Sequence, residues 1–141
     1  MHIVFAFNRH DNEIKTTILI EGGPSALYHI LVADRIIDTV KKVVDEQLSD
    51  HITLKKISSM LYLNCAYLGQ KFKQHENMSF NEYLLQMRME RAKQLLENTD
   101  MRIYEVASEV GYSELDWFYK KFKAYTGLSA SEYRRIASQI A

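Results

Sequence analysis

The stretch Tyr67-Leu-Gly-Gln-Lys-Phe-Lys73 returns fifty positions later as Trp117-Phe-Tyr-Lys-Lys-Phe-Lys123. Upstream, Ile57-Ser58-Ser59 matches Val106-Ala107-Ser108 and Leu61 matches Val110, now forty-nine positions apart. The extra residue falls in the turn, Tyr112-Ser-Glu-Leu-Asp116 against Leu63-Asn-Cys-Ala66. Each copy therefore reads as a short helix, a tight turn and a second helix. Ser58 and Ala107 supply the small mid-helix residue that lets a partner helix approach closely. This is a helix-turn-helix pattern, present twice.

The second helix of each copy divides into two faces at helical spacing. Leu68 and Phe72, and likewise Phe118 and Phe122, are expected to face a core. Ala66, Gly69, Gln70 and Lys73 share the opposite face in the first copy; Asp116, Tyr119, Lys120 and Lys123 share it in the second. An apolar anchor behind, polar side chains in front and lysines beside them suit a DNA duplex, where base edges carry sequence and phosphates carry charge. Lys71 and Lys121 lie about 100° off those positions and read as solvated. Asn64 and Ser113, one at each turn, read as phosphate or capping contacts, and Asp116 as an acceptor for a cytosine amino group or a charge serving the helix N-terminus.

Outward from the repeat, local signals place the remaining helices. Ser25 caps a helix running to about residue 48, with Leu27, Ile30, Leu31, Ile37, Val40, Val44 and Leu48 on one side. Thr53 and Asn64 cap the two helices of the first copy, and Asn77, which tolerates the left-handed conformation, ends the second. Ser79-Phe-Asn-Glu82 is a capping box opening a helix to about 98; Ser129-Ala-Ser-Glu132 is another, opening the last helix. Helices at about 103–110 and 114–126 end at Gly111 and Gly127. Tyr83, Leu84, Met87, Leu95 and Leu96 read as core; Arg88 and Arg91 either contact phosphate or pair with Glu82, Glu90 or Glu105, the structural role being favoured. Residues 3–7 and 14–20 read as two short strands before Gly22-Gly23-Pro24. The expected fold is all-α: about seven helices in two helix-turn-helix subdomains, preceded by a hairpin-like segment.

The 79–98 helix, about 20 residues, spans ~30 Å, close to the ~34 Å between successive major-groove faces on one side of DNA. One chain could then read two adjacent grooves.

The residues resemble the DNA-binding domain of the AraC/XylS family of bacterial transcription regulators over roughly Ile36–Ile136. The resemblance is carried by Tyr67-Leu with Phe72-Lys73, Phe80-Asn-Glu-Tyr83, Arg88-Met-Glu-Arg-Ala92 with Leu95-Leu96, and Glu105-Val-Ala-Ser-Glu-Val-Gly-Tyr112. Trp117-Phe, Phe122-Lys123 and Tyr125-Thr-Gly127 leading to Ser129-Ala-Ser-Glu-Tyr-Arg134 complete it. It implies double-stranded DNA and RNA polymerase as partners and no cofactor. Asn77 stands where the family usually has Gly, and Ala130 where it has Pro. Arg102 replaces a capping Ser or Thr, which weakens that helix start, and Gln70 replaces a basic residue, so the first unit is expected to bind DNA with less charge.

The implied organisation is an N-terminal segment over 1–35, the DNA-binding domain over 36–136 and a tail over 137–141. Within the domain the first helix-turn-helix covers about 53–77, the connector about 79–98 and the second helix-turn-helix about 103–126. The first 35 residues are too few for a sensing domain. Their strands either pack on the helices, pair with another chain, or are the stub of an upstream domain, the stub being the favoured reading.

Composition narrows the classes. The 141 residues carry 18 basic and 18 acidic side chains, a net charge of zero. The first 49 hold 5 and 7 of these, the remainder 13 and 11, so basic charge gathers in the repeat region. A single cysteine, Cys65, rules out an internal disulfide and suits a reducing cytoplasm. His2, His10, His29, His51 and His75 show no metal-ligand spacing. No apolar run nears the ~20 residues of a membrane helix. No phosphate loop, paired strand-end carboxylates or nucleophile motif points to an enzyme. The competing class is a helical protein-interaction module, although two repeats fall short of the three or more a solenoid needs.

Overall fold

The computed structural model describes the backbone of residues 2–10, 13–21 and 25–140 and the side chains of residues 34–140. Two antiparallel strands, β1 (His2–His10) and β2 (Glu13–Glu21), pair with Ile3 opposite Ile20 and Phe5 opposite Ile18. Seven helices follow: α1 (Ser25–Glu46), α2 (Leu54–Met60), α3 (Cys65–Glu76), α4 (Phe80–Asn98), α5 (Ile103–Glu109), α6 (Leu115–Thr126) and α7 (Ala130–Ile140). The expected cap at Ser25 and the apolar positions Leu27, Ile30 and Leu31 lie outside the described side chains. The chain divides into two compact units: residues up to 46 with 52–80, and residues 47–51 with 81–141.

In the first unit, Ile36, Ile37, Val40 and Val44 of α1 are buried, as are Ile57, Ser58 and Leu61 around α2, Leu68 and Phe72 of α3, and Phe80. Phe72 and Phe80 meet edge to face, 5.7 Å between centroids. The Thr53 Oγ1 accepts from the Lys56 amide at 3.1 Å, and the Asn64 Oδ1 from the Tyr67 amide at 3.0 Å, so both expected caps form. Asn77 takes φ 58°, ψ 22°, and its amide closes on the Lys73 carbonyl at 2.9 Å. Lys41 of α1 lies 2.8 Å from Glu76 at the end of α3. That hydrogen bond and charge hold the Glu76 carboxyl below its ordinary range, against a smaller upward push from burial.

The second unit repeats the arrangement with Met89, Ala92, Leu95, Leu96, Val106, Ala107, Val110, Phe118, Phe122 and Ala130 at its centre. Met87, expected in a core, is only half-buried. Ser129 and Glu132 form the expected reciprocal box, each accepting from the other's amide at 3.2 Å. At α5 only half of such a box exists. Glu105 accepts from the Arg102 amide at 2.7 Å, whereas a guanidinium has no acceptor to offer in return.

The two turns close identically: Leu63 N–H donates to Ser58 O and Tyr112 N–H to Ala107 O, both at 2.9 Å. Both bring a residue to positive φ, Tyr62 at 56° in the first and Gly111 at 97° in the second.

Arg88 departs from its expected acidic partners. Its Nη2 donates to the Asp50 carbonyl at 3.4 Å, its guanidinium lies 5.5 Å from the Tyr112 ring centroid, and its buried Nε has no partner. Packing brings the 47–51 link against α4 here, and no spacing rule within one helix encodes that.

Tyrosine–glutamate bonds fix α6 and α7 to α4: Tyr125 donates to Glu90 at 2.9 Å, and Tyr133 donates to Glu97. Burial, then the bond to Glu97, pushes the Tyr133 phenol up to about 12. The fold thus favours the neutral phenol. Its contribution is complete below the ordinary tyrosine value of about 10 and is lost as pH rises from there through about 12. Denaturation midpoints should fall across that window, and Tyr133→Phe should flatten the fall. An unchanged slope in the variant would mean the bond does not persist in solution.

Candidate nucleic-acid interface

The second helix of each unit presents one face to solvent, and the buried phenylalanines dictate which. Leu68 and Phe72 are fully buried on the inner side of α3, and Phe118 and Phe122 on that of α6. The sequence-expected positions Ala66, Gln70 and Lys73 are accordingly exposed on α3, and Asp116, Tyr119, Lys120 and Lys123 on α6.

Three expectations need correction. Gly69 does not belong to the outer face of α3: a Cβ built there would lie 3.2 Å from Leu54 Cδ2, so the glycine marks where α2 packs on α3. Its counterpart Tyr119 stays exposed. Ser113 does not cap α6: the residue in the cap position is Glu114, which makes no side-chain cap bond, and Ser113 is exposed one residue outside. The extra residue in this turn shifts the cap register relative to Asn64. Lys71, expected to be merely solvated, is half-buried with its ammonium 5.6 Å from the Tyr67 ring centroid.

Charge pairing separates the lysines into two groups. Lys41 and Lys42 of α1 and Lys93 of α4 each meet a carboxylate within 4 Å. Among the described residues, Lys71, Lys73, Lys120, Lys121 and Lys123 of α3 and α6 meet none, and neither does Lys55 of α2. Unpaired cations gathered on α3 and α6 create a positive field available to a polyanion.

Sequence spacing passes over Tyr67 and Trp117, both in the first turn of an exposed helix. They stay 41% and 54% exposed, and Lys120 lies 5.6 Å from the Trp117 centroid. Their signal is present in the repeat, where an aromatic residue stands at the same place in both copies. The exposed Cys65 has no second cysteine to pair with, and no group of three or more metal-ligating side chains occurs among the described residues. No helix among them is long and apolar enough to cross a membrane.

Residues 57–136 match the family described as Helix-turn-helix domain. The Msm operon regulatory protein of Streptococcus mutans is 37% identical over 99 residues, covering 70% of this chain and 36% of that protein. The chain spans about a third of the length of such curated relatives. The crystal structure of the C-terminal domain of the two-component response regulator yesN from Fusobacterium nucleatum is also 37% identical, with a TM-score of 0.67. It covers 72% of this chain and 97% of that one. The DNA-binding domain of AdpA, solved in complex with a target DNA, shares the fold at 20% identity and a TM-score of 0.66, over 72% of this chain and 90% of that one. With two helix-turn-helix units in order, each ending in an exposed lysine-bearing helix, the chain belongs to the AraC/XylS family of transcription regulators and carries its DNA-binding domain.

Proposed function

We propose that this chain binds duplex DNA in a sequence-specific manner, with α3 and α6 entering adjacent major-groove segments, and thereby regulates bacterial transcription. The observation that carries the reading is the set of recognition-helix lysines without carboxylate partners, while the lysines of α1 and α4 are neutralised. Lys73, Lys120 and Lys123 meet phosphates at the groove edges. Gln70, Tyr119 and Asp116 reach base edges, with Ala66 making apolar contact. Asn64, whose carbonyl oxygen is taken by the Tyr67 amide, offers only its amide nitrogen to a phosphate, and Ser113 offers its hydroxyl. The protein performs no catalysis, needs no cofactor and works in the cytoplasm. Residues 36–136 constitute the DNA-binding part, RNA polymerase is a further partner, and the 1–35 segment serves self-association.

Selection from a randomised duplex library, followed by salt titration of the winner, tests this. The expected motif is bipartite with halves about ten base pairs apart. Each phosphate neutralised contributes about −0.9 to the slope of log K against log salt, so the three lysines give a slope of about −2.7. A half-sized motif would restrict base reading to the second unit. No enrichment at any salt would favour the helical protein-interaction module instead.

The charge difference between units yields a finer expectation. Lys120→Ala should weaken binding about tenfold, in the range of a good base or phosphate contact, and Gln70→Ala by clearly less. Equal losses in a gel-shift titration would show that the first unit matches the second despite its glutamine.

A further inference from the structure

Tyr67 and Trp117 pose a question that core packing does not answer. Each is a large aromatic residue in the first turn of a recognition helix and is roughly half exposed. A lysine of the same helix lies over each ring at 5.6 Å, but it is not the same lysine. Trp117 holds Lys120, three residues on. The equivalent of Lys120 in the first copy is the neutral Gln70, and there the ring takes the next cation, Lys71, four residues on. The aromatic–cation pair is thus kept in both copies although the residue at the matching position has changed.

We propose that Tyr67–Lys71 and Trp117–Lys120 are two composite contacts to the DNA strand edging the major groove. In each, the ring packs on the apolar deoxyribose surface while the ammonium meets a neighbouring phosphate. This deepens the DNA-binding reading above and rests on it. A strand of DNA alternates apolar sugar and anionic phosphate, which a ring and a cation at fixed separation complement. A cation–π contact strengthens once desolvated, so the pair tightens as water leaves the interface. The two pairs then differ in role. Lys120 is an outer-face residue, and its ring partner fixes it for base or phosphate contact beside the bases. Lys71 sits about 100° round from the outer-face position of Gln70, so its pair adds charge without adding sequence preference.

Trp117 is the chain's single tryptophan, so its emission reports this contact alone. The full chain would be titrated into the selected duplex, following dye anisotropy on the DNA and indole emission together. Emission should change in step with anisotropy. Trp117→Phe should bind within about twofold of the parent and Trp117→Ala about five- to tenfold more weakly. Lys71→Gln should lower the salt slope by about 0.9 while leaving the selected sequence unchanged. Trp117 is exposed and Lys71 is half-buried outside the core, so the variants should keep their fold, checked by circular dichroism; Tyr67→Ala, about two- to fivefold weaker, repeats the test in the other unit. Anisotropy that saturates without any emission change, or a Lys71→Gln slope equal to the parent's, overturns the proposal while DNA binding stands. No anisotropy change with any duplex overturns DNA binding itself, and the proposal with it.

Discussion

Phe122→Ala should cost the second unit about 3–5 kcal/mol, the range for removing a fully buried aromatic ring from a core that cannot close over the gap. Phe122 has no exposed surface, lies 5.6 Å from the Phe118 ring and meets Tyr133 edge to face at 5.4 Å. The ring therefore links α6 to α7 and backs the face that carries Lys120 and Lys123. Total stabilities of single domains are about 5–15 kcal/mol, so one such loss removes a large share. Urea denaturation should show the midpoint falling by roughly 1–3 M. Phe72→Ala is the matching change in the first unit, where the lost ring contact is with Phe80. A loss under about 1 kcal/mol at either site would mean that the neighbouring side chains refill the space, contrary to the close packing of protein interiors.

Gly111→Ala is expected to be nearly as damaging, for a different reason. Its φ of 97° is strained for any residue with a side chain, and an added Cβ would sit 2.6 Å from the Leu48 carbonyl oxygen and 3.1 Å from two Arg88 nitrogens. The carbonyl is backbone and cannot swing aside as a side chain would. Conformational strain and displacement together should cost about 2–4 kcal/mol. Gly127 is the natural control. Its φ is 81° but nothing lies within 4 Å of its would-be Cβ, so Gly127→Ala should cost only about 1–2 kcal/mol. Thermal or urea denaturation of the two variants separates strain from collision. Equal losses would show that the contact with the 47–51 link contributes nothing. Because Gly111 sits in the turn before α6, its alanine variant should also lose more DNA affinity than the Gly127 variant.

What the sequence reveals, and what it conceals, follows from the range of each interaction. Caps at Thr53, Asn64 and Ser129 and stops at Asn77 and Gly127 depend on a few consecutive residues, so these helix ends fall where expected, while α2, expected to run through Leu63, ends at Met60. Buried and exposed faces of α3 and α6 follow from residues three and four apart and are equally legible. Gly69 illustrates the opposite case. A missing side chain looks like an empty place on the outer face until α2 is known to press against it. Arg88 is concealed for the same reason: three acidic residues look like its partners, while the actual acceptor lies 38 positions away on the backbone. Tyr67 and Trp117 are visible in the repeat, but the choice of lysine over each ring depends on rotamers that spacing does not set.

The link at residues 47–51 has a consequence for how the chain is made. It leaves the ribosome roughly sixty residues before the Gly111 turn on which Leu48 rests. During synthesis the first unit has its own helices complete once α3 and Phe80 emerge, while these five residues wait without their counterpart. Their docking is therefore a late event, which closes only when α4 and the second turn have both been delivered. A fragment begun at Asn81 would never receive them, so the second half of this protein is not a detachable bead but a piece whose last component was produced first.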